Sequence, residues 1–388
     1  MEQRTRTAAG GTTGGDGTTV EFETDVVQLL VAATRSASRQ DAPVVGSEDL
    51  LSALVMGDSD AGAALAPGMR KAGALSGLVA GRGGEGWVSA DDDEGQPPVP
   101  DDDEIGYVWR ETRWRFALSH PKEAGKLPAA MSGALRRCLR LALDTARAEG
   151  TVSVRCRQVA QALLDLPESR AREALVLRRT DLAAAATALA ATAAEDPAEA
   201  PSVALLRRAG TLGRSGNALS RALTSWLSGS QPYGSPVVFA VSIEARRQAV
   251  RCGRPAAEPI DLLLGALALE RALDVAGLAL PDSLADVNSA AGLLRRYGVR
   301  QDSLTRSSIT SPAAHGTGDE MRFSDAAERA KSVAQLRAAE GGSATVGTVH
   351  LLAAVLEGDS GEVARLLEAE GVDVEALRAE LSANPAKL

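Results

Sequence analysis

Histidines, cysteines and glycine-rich runs are where a chain like this one would carry chemistry, and here they are sparse. His120, His315 and His350 are the three histidines among 388 residues, separated in sequence and outside any HExxH spacing. No helix face therefore offers two imidazoles to a zinc ion. Gly210-Thr211-Leu212-Gly213-Arg214-Ser215-Gly216 is glycine-rich but lacks the lysine with which a GxxxxGK[ST] loop holds phosphates. Gly213-Arg214-Ser215-Gly216-Asn217 misses the last glycine of a GxSxG nucleophile elbow. Cys138, Cys156 and Cys252 form an odd set with no CxxC pair, and they read as buried free thiols rather than disulfides or ligands. The expectation is a chain that is not an enzyme, with no catalytic residue, no metal and no cofactor.

Composition restricts the elements that could position any site. Hydrophobic residues are 45% of the chain but aromatics only 3%, so the core must be packed from Ala, Leu and Val. Such side chains suit closely spaced helices better than sheets, and the expected fold class is all-α. The formal net charge of −9 argues against nucleic acid, whose binders draw most of their affinity from a basic face. The first residues hold no apolar leader, and nowhere do eighteen apolar residues run together, so no membrane association and a cytoplasmic location are expected.

Self-comparison shows a repeat. Phe22 to Leu65 aligns without a gap on Phe323 to Leu366, matching Val45-Gly46 with Val346-Gly347, Leu50-Leu51 with Leu351-Leu352 and Gly57-Asp58-Ser59 with Gly358-Asp359-Ser360. Two weaker copies lie between. The stripe Val26, Leu29, Leu30, Ala33, Ala37 recurs as Leu135, Cys138, Leu139, Ala142, Ala146. It recurs again as Val238, Val241, Ser242, Ala245, Ala249, and as Ala327, Ala330, Lys331, Ala334, Ala338. These are i, i+3, i+4, i+7, i+11 positions on one helical face, with alanine in the last two slots where another helix can approach closely. A second stripe, Leu50, Leu51, Leu54, Val55, recurs as Val159, Ala160, Leu163, Leu164, as Leu262, Leu263, Ala266, Leu267, and as Leu351, Leu352, Val355, Leu356. Gly46-Ser47 and Gly347-Thr348 before it read as a turn glycine followed by a hydroxyl N-cap.

The copies divide the chain. Residues 1–19 read as a disordered tail, and 20–194 as a first domain with repeats at about 20–80 and 128–194. Between these repeats lies an acidic linker, 81–105, holding Asp91-Asp92-Asp93-Glu94 and Asp101-Asp102-Asp103-Glu104. A run of like charges repels itself, so an exposed loop is expected, with docking of a basic partner as the alternative. Residues 195–235 read as a helical connector and loop, and 236–388 as a second domain with repeats at about 236–300 and 321–383.

Copy four carries Phe323-Ser324, then Val346-Gly347-Thr348-Val349-His350-Leu351-Leu352, then Gly371-Val372-Asp373-Val374-Glu375-Ala376-Leu377. These residues resemble the N-terminal repeat of the Clp unfoldases, whose pattern runs Phe-Thr-Glu-Arg, then Ile-Gly-Thr-Glu-His-Leu-Leu, then Leu-Gly-Val-Asp. Copy one fits the same spacing from Phe22 to Gly46. The resemblance implies four-helix repeats paired about pseudo-two-fold axes, here as two tandem domains without the ATPase engine. In that family the domain receives client proteins, adaptors, arginine-phosphorylated proteins and, in some members, cyclic-peptide antibiotics.

The resemblance implies a noncatalytic protein-binding module of the Clp system: an adaptor, a substrate-capture surface or a decoy for the unfoldase N-domain. Its partners would be a ClpC-type unfoldase, its adaptors or its clients. Sequestration of a Clp-directed cyclic peptide is a second reading and a peptidase a third, the last suggested by the Clp name alone. The family's phosphoarginine pocket pairs a hydroxyl just after the repeat's Phe with a Glu two positions after the motif Gly. Copy one keeps the carboxylate as Glu48 but has Glu23 in the hydroxyl slot. Copies two, three and four keep Ser132, Ser235 and Ser324 but put Arg157, Ile260 and Val349 in the Glu slot. Counted within each copy no pocket is complete, so weak phosphoarginine binding is expected. Other binding would use apolar surface near Phe22 and Phe323, making Phe22, Glu23, Glu48, Phe323 and Ser324 the candidate ligand residues.

Overall fold

Every position of the four aligned first-helix stripes, from Val26 to Ala338, is buried, and so is every position of the second stripe. The computed structural model of the chain describes residues 20–65, 91, 103–128, 130–192, 199–212, 235–309, 320–358 and 361–383. The expected tail at 1–19 and most of the acidic linker lie outside these residues. The described fold is all-α with strands two residues long.

The first repeat runs β1 (Glu21–Phe22), α1 (Thr24–Arg39), β2 (Val44–Val45), α2 (Ser47–Met56) and α3 (Asp60–Leu65). A helix that none of the repeats supplies follows, α4 (Asp103–Ser119). The second repeat is β3 (Ala130–Met131), α5 (Gly133–Ala148), β4 (Ser153–Val154), α6 (Cys156–Leu164), α7 (Arg170–Leu177) and α8 (Leu182–Ala191). After α9 (Pro201–Arg208), the third contains α10 (Pro236–Cys252), α11 (Pro259–Val275), α12 (Asp282–Ala285), α13 (Ala290–Arg296) and α14 (Gln301–Ser307). The fourth holds α15 (Asp325–Glu340), α16 (Thr348–Leu356), α17 (Glu362–Ala369) and α18 (Val374–Ser382).

Repeats join crosswise. β1 pairs in parallel with β4, placing Phe22 beside Val154, and β2 pairs with β3, placing Val45 beside Met131. In the second half Ala257 bridges to Phe323, the counterpart of the second pairing. The strand that opens one repeat therefore lies against the segment just before the second helix of the other. One apolar cluster takes its residues from 22–189, and three further clusters take theirs from 203–381.

The second helices share one start. The backbone N–H before each helix donates to the side chain at its third position: Gly46 to Asp49 at 3.1 Å, Arg155 to Gln158 at 2.8 Å, Glu258 to Asp261 at 2.8 Å and Gly347 to His350 Nδ1 at 2.9 Å. Each such bond satisfies a donor that a helix entry otherwise leaves open. His350, fully buried, is thus a structural cap. The caps themselves are Gly46 and Gly347, so Ser47 and Thr348 stand one residue inside their helices and turn their hydroxyls toward the neighbouring repeat.

The seam between the halves is ionic. α4 lies against both α1 and α10. The first half brings Glu21, Glu23, Glu104 and Glu111 to this seam, and the second brings Arg247, Arg251 and Arg271. Arg247 donates to both oxygens of Glu111 at 3.0 Å and to Glu21 at 2.6 Å, and Arg251 donates to both oxygens of Glu104. Burial alone would raise the carboxyls. Against it, Arg247, Arg115 and Arg251 hold Glu111 down at about 2, and Arg247 and Arg271 hold Glu21 well below the usual range.

This corrects the reading of the acidic run as loop throughout. Asp103 opens a helix, and Glu104 docks on a basic residue of its own chain. Repulsion within the run is outweighed where an arginine is fixed opposite it.

Candidate ligand site

Crosswise pairing brings the start of α2 against the starts of α5 and α7. Ser132 caps α5 by accepting from Leu135 N–H at 3.1 Å, and Ser169 caps α7 by accepting from Arg172 N–H at 3.1 Å. A space between these helix ends is filled by Asp91. Its carboxylate accepts from Ser47 N–H at 2.8 Å, the Ser47 hydroxyl at 2.7 Å, the Ser132 hydroxyl at 2.6 Å and Arg170 N–H at 2.9 Å. Ser47 Oγ accepts in turn from Ala171 N–H at 3.1 Å. Two helix N-termini and two hydroxyls directed at one carboxylate make an anion site.

Glu48 borders this site. Its Oε1 accepts from Arg170 Nη1 at 3.0 Å, while its Oε2 is buried without a hydrogen-bond partner. Burial, then the Asp91 carboxylate, pushes the Glu48 carboxyl up to about 7. Arg170 therefore spans the pocket, with its backbone on Asp91 and its guanidinium on Glu48.

The arrangement revises the count made within each copy. Ser132 of the second repeat and Glu48 of the first enclose one pocket, so the hydroxyl and carboxylate slots meet across a repeat pair. Asp91, read as part of an exposed loop, is buried there. A single sequence has no signal for this, because the pairing of slots follows from strand exchange between distant segments.

The other candidate residues do different work. Phe22 is fully buried in the first core and so contributes no apolar surface. Glu23 pairs with Arg271 at 2.7 Å in the seam between the halves. Phe323 is half-buried, with Lys331 Nζ 3.6 Å and the Arg246 guanidinium 5.0 Å from its ring centroid. Ser324 caps α15 through Ala327 N–H and donates its hydroxyl to Glu258 at 2.7 Å. The structure thus brings Ser324 to Glu258 and Glu48 to Ser132, and it leaves Glu23 with neither.

Three counterparts of the Ser47 pocket exist, and none repeats its chemistry. At α11 the position of Ser47 is Pro259, which has neither N–H nor hydroxyl, and Glu258 occupies Ser324. At α6 the position belongs to Cys156, whose N–H reaches Asp25 at 3.5 Å. At α16 Thr348 N–H donates to Asn288 Oδ1 at 3.1 Å, and Thr348 Oγ1 accepts from Ala290 N–H at 3.3 Å. Beside this last end lies a cavity of about 390 Å³ lined by apolar side chains, among them Val237, Leu269, Leu273 and Leu280, with Glu270 and Asp274 on one wall.

All three cysteines are free and buried, and burial pushes the Cys252 thiol up to about 11. Among the described residues no three His, Cys, Asp or Glu side chains group as metal ligands would, and no helix is long and apolar enough to cross a membrane.

Comparison with known proteins places the last segment. Residues 322–388 match the family described as the Clp repeat (R) N-terminal domain. None of the curated proteins matches the chain.

Proposed function

Starting from the Clp repeat at 322–388, we propose that this chain is a noncatalytic protein-binding module of the Clp protease and chaperone system. It would work inside the cell as an adaptor, a substrate-capture surface or a decoy for the unfoldase N-domain. One observation carries the reading: the family match covers the fourth repeat, and the other three reproduce its two buried stripes and its helix-entry cap. A module of repeated helix pairs presents helix-lined surface on a fixed scaffold, as binding modules do. The test is affinity capture of a purified ClpC-type unfoldase on the immobilised chain, with degradation of a model client followed alongside. Capture together with faster client loss identifies an adaptor, and capture with slower loss a decoy. No capture and no change in degradation would remove the Clp assignment.

The 390 Å³ cavity supports a second reading, sequestration of a Clp-directed cyclic peptide. Apolar lining with a few polar groups is the usual form of a small-ligand site. Calorimetry with such a peptide decides it, and an Ala266→Trp variant, which fills the cavity, should abolish the heat.

A further inference from the structure

α15 carries its buried stripe on one side, where it rests on α16 and α11. On the opposite side Val333 and Leu336, 38% and 58% exposed, stand one turn apart. Arg329 and Glu340 flank them, both exposed, and neither takes part in an ion pair among the described residues. The four positions follow one another at intervals of four, three and four residues, so they form one narrow stripe along the helix. Single exposed apolar residues are ordinary, but these two adjoin and are bracketed by opposite charges.

The third repeat shows what this helix face does when it is covered. Alignment of the α10 and α15 stripes puts Ala240, Glu244, Arg247 and Arg251 at the same four positions. There the face is buried, and Arg247 and Arg251 meet Glu111 and Glu104 of α4 across the seam. On α15 two aliphatic side chains stand where Glu244 and Arg247 do. Its partner must therefore offer an apolar centre with a charge at each end.

α15 itself meets that description. Turned end for end about the point between Ala334 and Gln335, the stripe falls on itself, Val333 opposite Leu336 and Arg329 opposite Glu340. We propose that a second copy of this chain docks on this face, α15 against α15, antiparallel about a two-fold axis. Two Val333–Leu336 contacts then form the centre, and an Arg329–Glu340 pair closes each end. A patch complementary to itself is what a two-fold interface requires. α15 has 16 residues and a length of roughly 24 Å, so one helix pair buries less than the ~1,200 Å² of the smallest standard interfaces. The dimer is therefore weak and reversible, and salt weakens it further. Such a dimer is independent of whether the chain captures an unfoldase.

Sedimentation equilibrium of the full chain at concentrations up to about 1 mM, at low and at high salt, reads the association. The parent should show a monomer–dimer equilibrium that weakens as salt rises. Leu336→Asp should raise the dissociation constant about tenfold or more, and Val333→Asp should do the same. Both side chains are exposed, so these variants should keep the circular dichroism of the parent. Should either fail to fold, the charge variants decide alone. Arg329→Glu and Glu340→Arg should each weaken the dimer, because each sets like charges together at both ends. Combined in one chain, they should restore association to within about twofold of the parent. A parent chain that stays monomeric over this range would overturn the proposal. So would a dimer that a folded aspartate variant leaves unchanged, or a double charge exchange that associates no better than either single one.

Discussion

At the Ser47 end of the first half a carboxylate from outside the repeats fills the gap between helix N-termini, and at the Thr348 end of the second half a neutral amide, Asn288, does so. The backbone scheme is shared. A hydroxyl one residue inside the second helix accepts from the N–H that opens a short helix of the partner repeat, Ala171 in one case and Ala290 in the other. What differs is charge and rigidity. The first pocket brings Asp91, Glu48 and Arg170 together, so its stability is expected to depend on protonation of Glu48. The second is closed by the neutral Asn288 amide, and the Val287 carbonyl lies where any side chain on Gly347 would have to go. The same helix entry can thus be closed by a charged side chain or by a neutral one, depending on two or three side chains around it.

Four tests would break or sharpen that contrast. The largest effect should come from Glu111→Ala. It strips a partner from both Arg247 and Arg251 in the buried seam, and such a loss typically costs about 3–5 kcal/mol. Urea unfolding followed by circular dichroism should shift to a lower midpoint as one transition. Two separated transitions in the parent would show that the pockets can be compared as independent units.

Gly347→Ala should come next, at about 3 kcal/mol, because its Cβ would press into the Val287 carbonyl, which is backbone. Gly46→Ala should cost under about 1 kcal/mol, since its Cβ meets only the end of the Glu48 side chain, which can swing away with loss of a partly exposed ion pair. Equal losses at the two glycines would erase the difference in rigidity.

Asp91→Ala leaves four donors facing an empty space and should destabilise by about 2 kcal/mol, against about 1 kcal/mol for Asn288→Ala, which frees one. A larger loss at Asn288 would reverse the contrast.

The smallest effect is a pH slope. Folding raises the Glu48 carboxyl to about 7, mainly through burial, so the folded chain holds a proton there that the unfolded chain releases near 4.5. The contribution is therefore fully present below about pH 4.5 and is lost as pH rises through about 7. Asp261 in the second half, also raised to about 7 by burial, adds the same sign, whereas Glu111 is lowered and matters only in stronger acid. Melting temperatures should fall from pH 5 to pH 8, and Glu48→Gln should flatten the slope only in part. A slope unchanged by Glu48→Gln would show that the first pocket is insensitive to protonation.

What the sequence determined by itself is whatever depends on residues close together along the chain. The apolar stripes from Val26 to Ala338 sit at fixed helical spacings, so burial of one face follows from periodicity alone, and the stripes were legible even where the third and fourth copies carry Ser242 and Lys331. The motif glycines were legible for the same reason. α4 was legible in principle, with Ile105, Val108 and Phe116 on one face, but Glu111 and Thr112 interrupt that stripe and an acidic run precedes it. The helix-entry cap shows the limit of such reading, because Asp49, Gln158, Asp261 and His350 do one job with three residue types. Only the tertiary structure decided how the candidate site is assembled. Ser132 enters the pocket that Glu48 borders because β1 and β2 of one repeat pair with β4 and β3 of the other, and that exchange joins segments about a hundred residues apart. Asp91 and Glu104 changed from loop charges to paired carboxylates on the same grounds. Whether a carboxylate is solvated or paired depends on which donors and arginines the fold brings opposite it, and those stand up to 280 residues away along the chain.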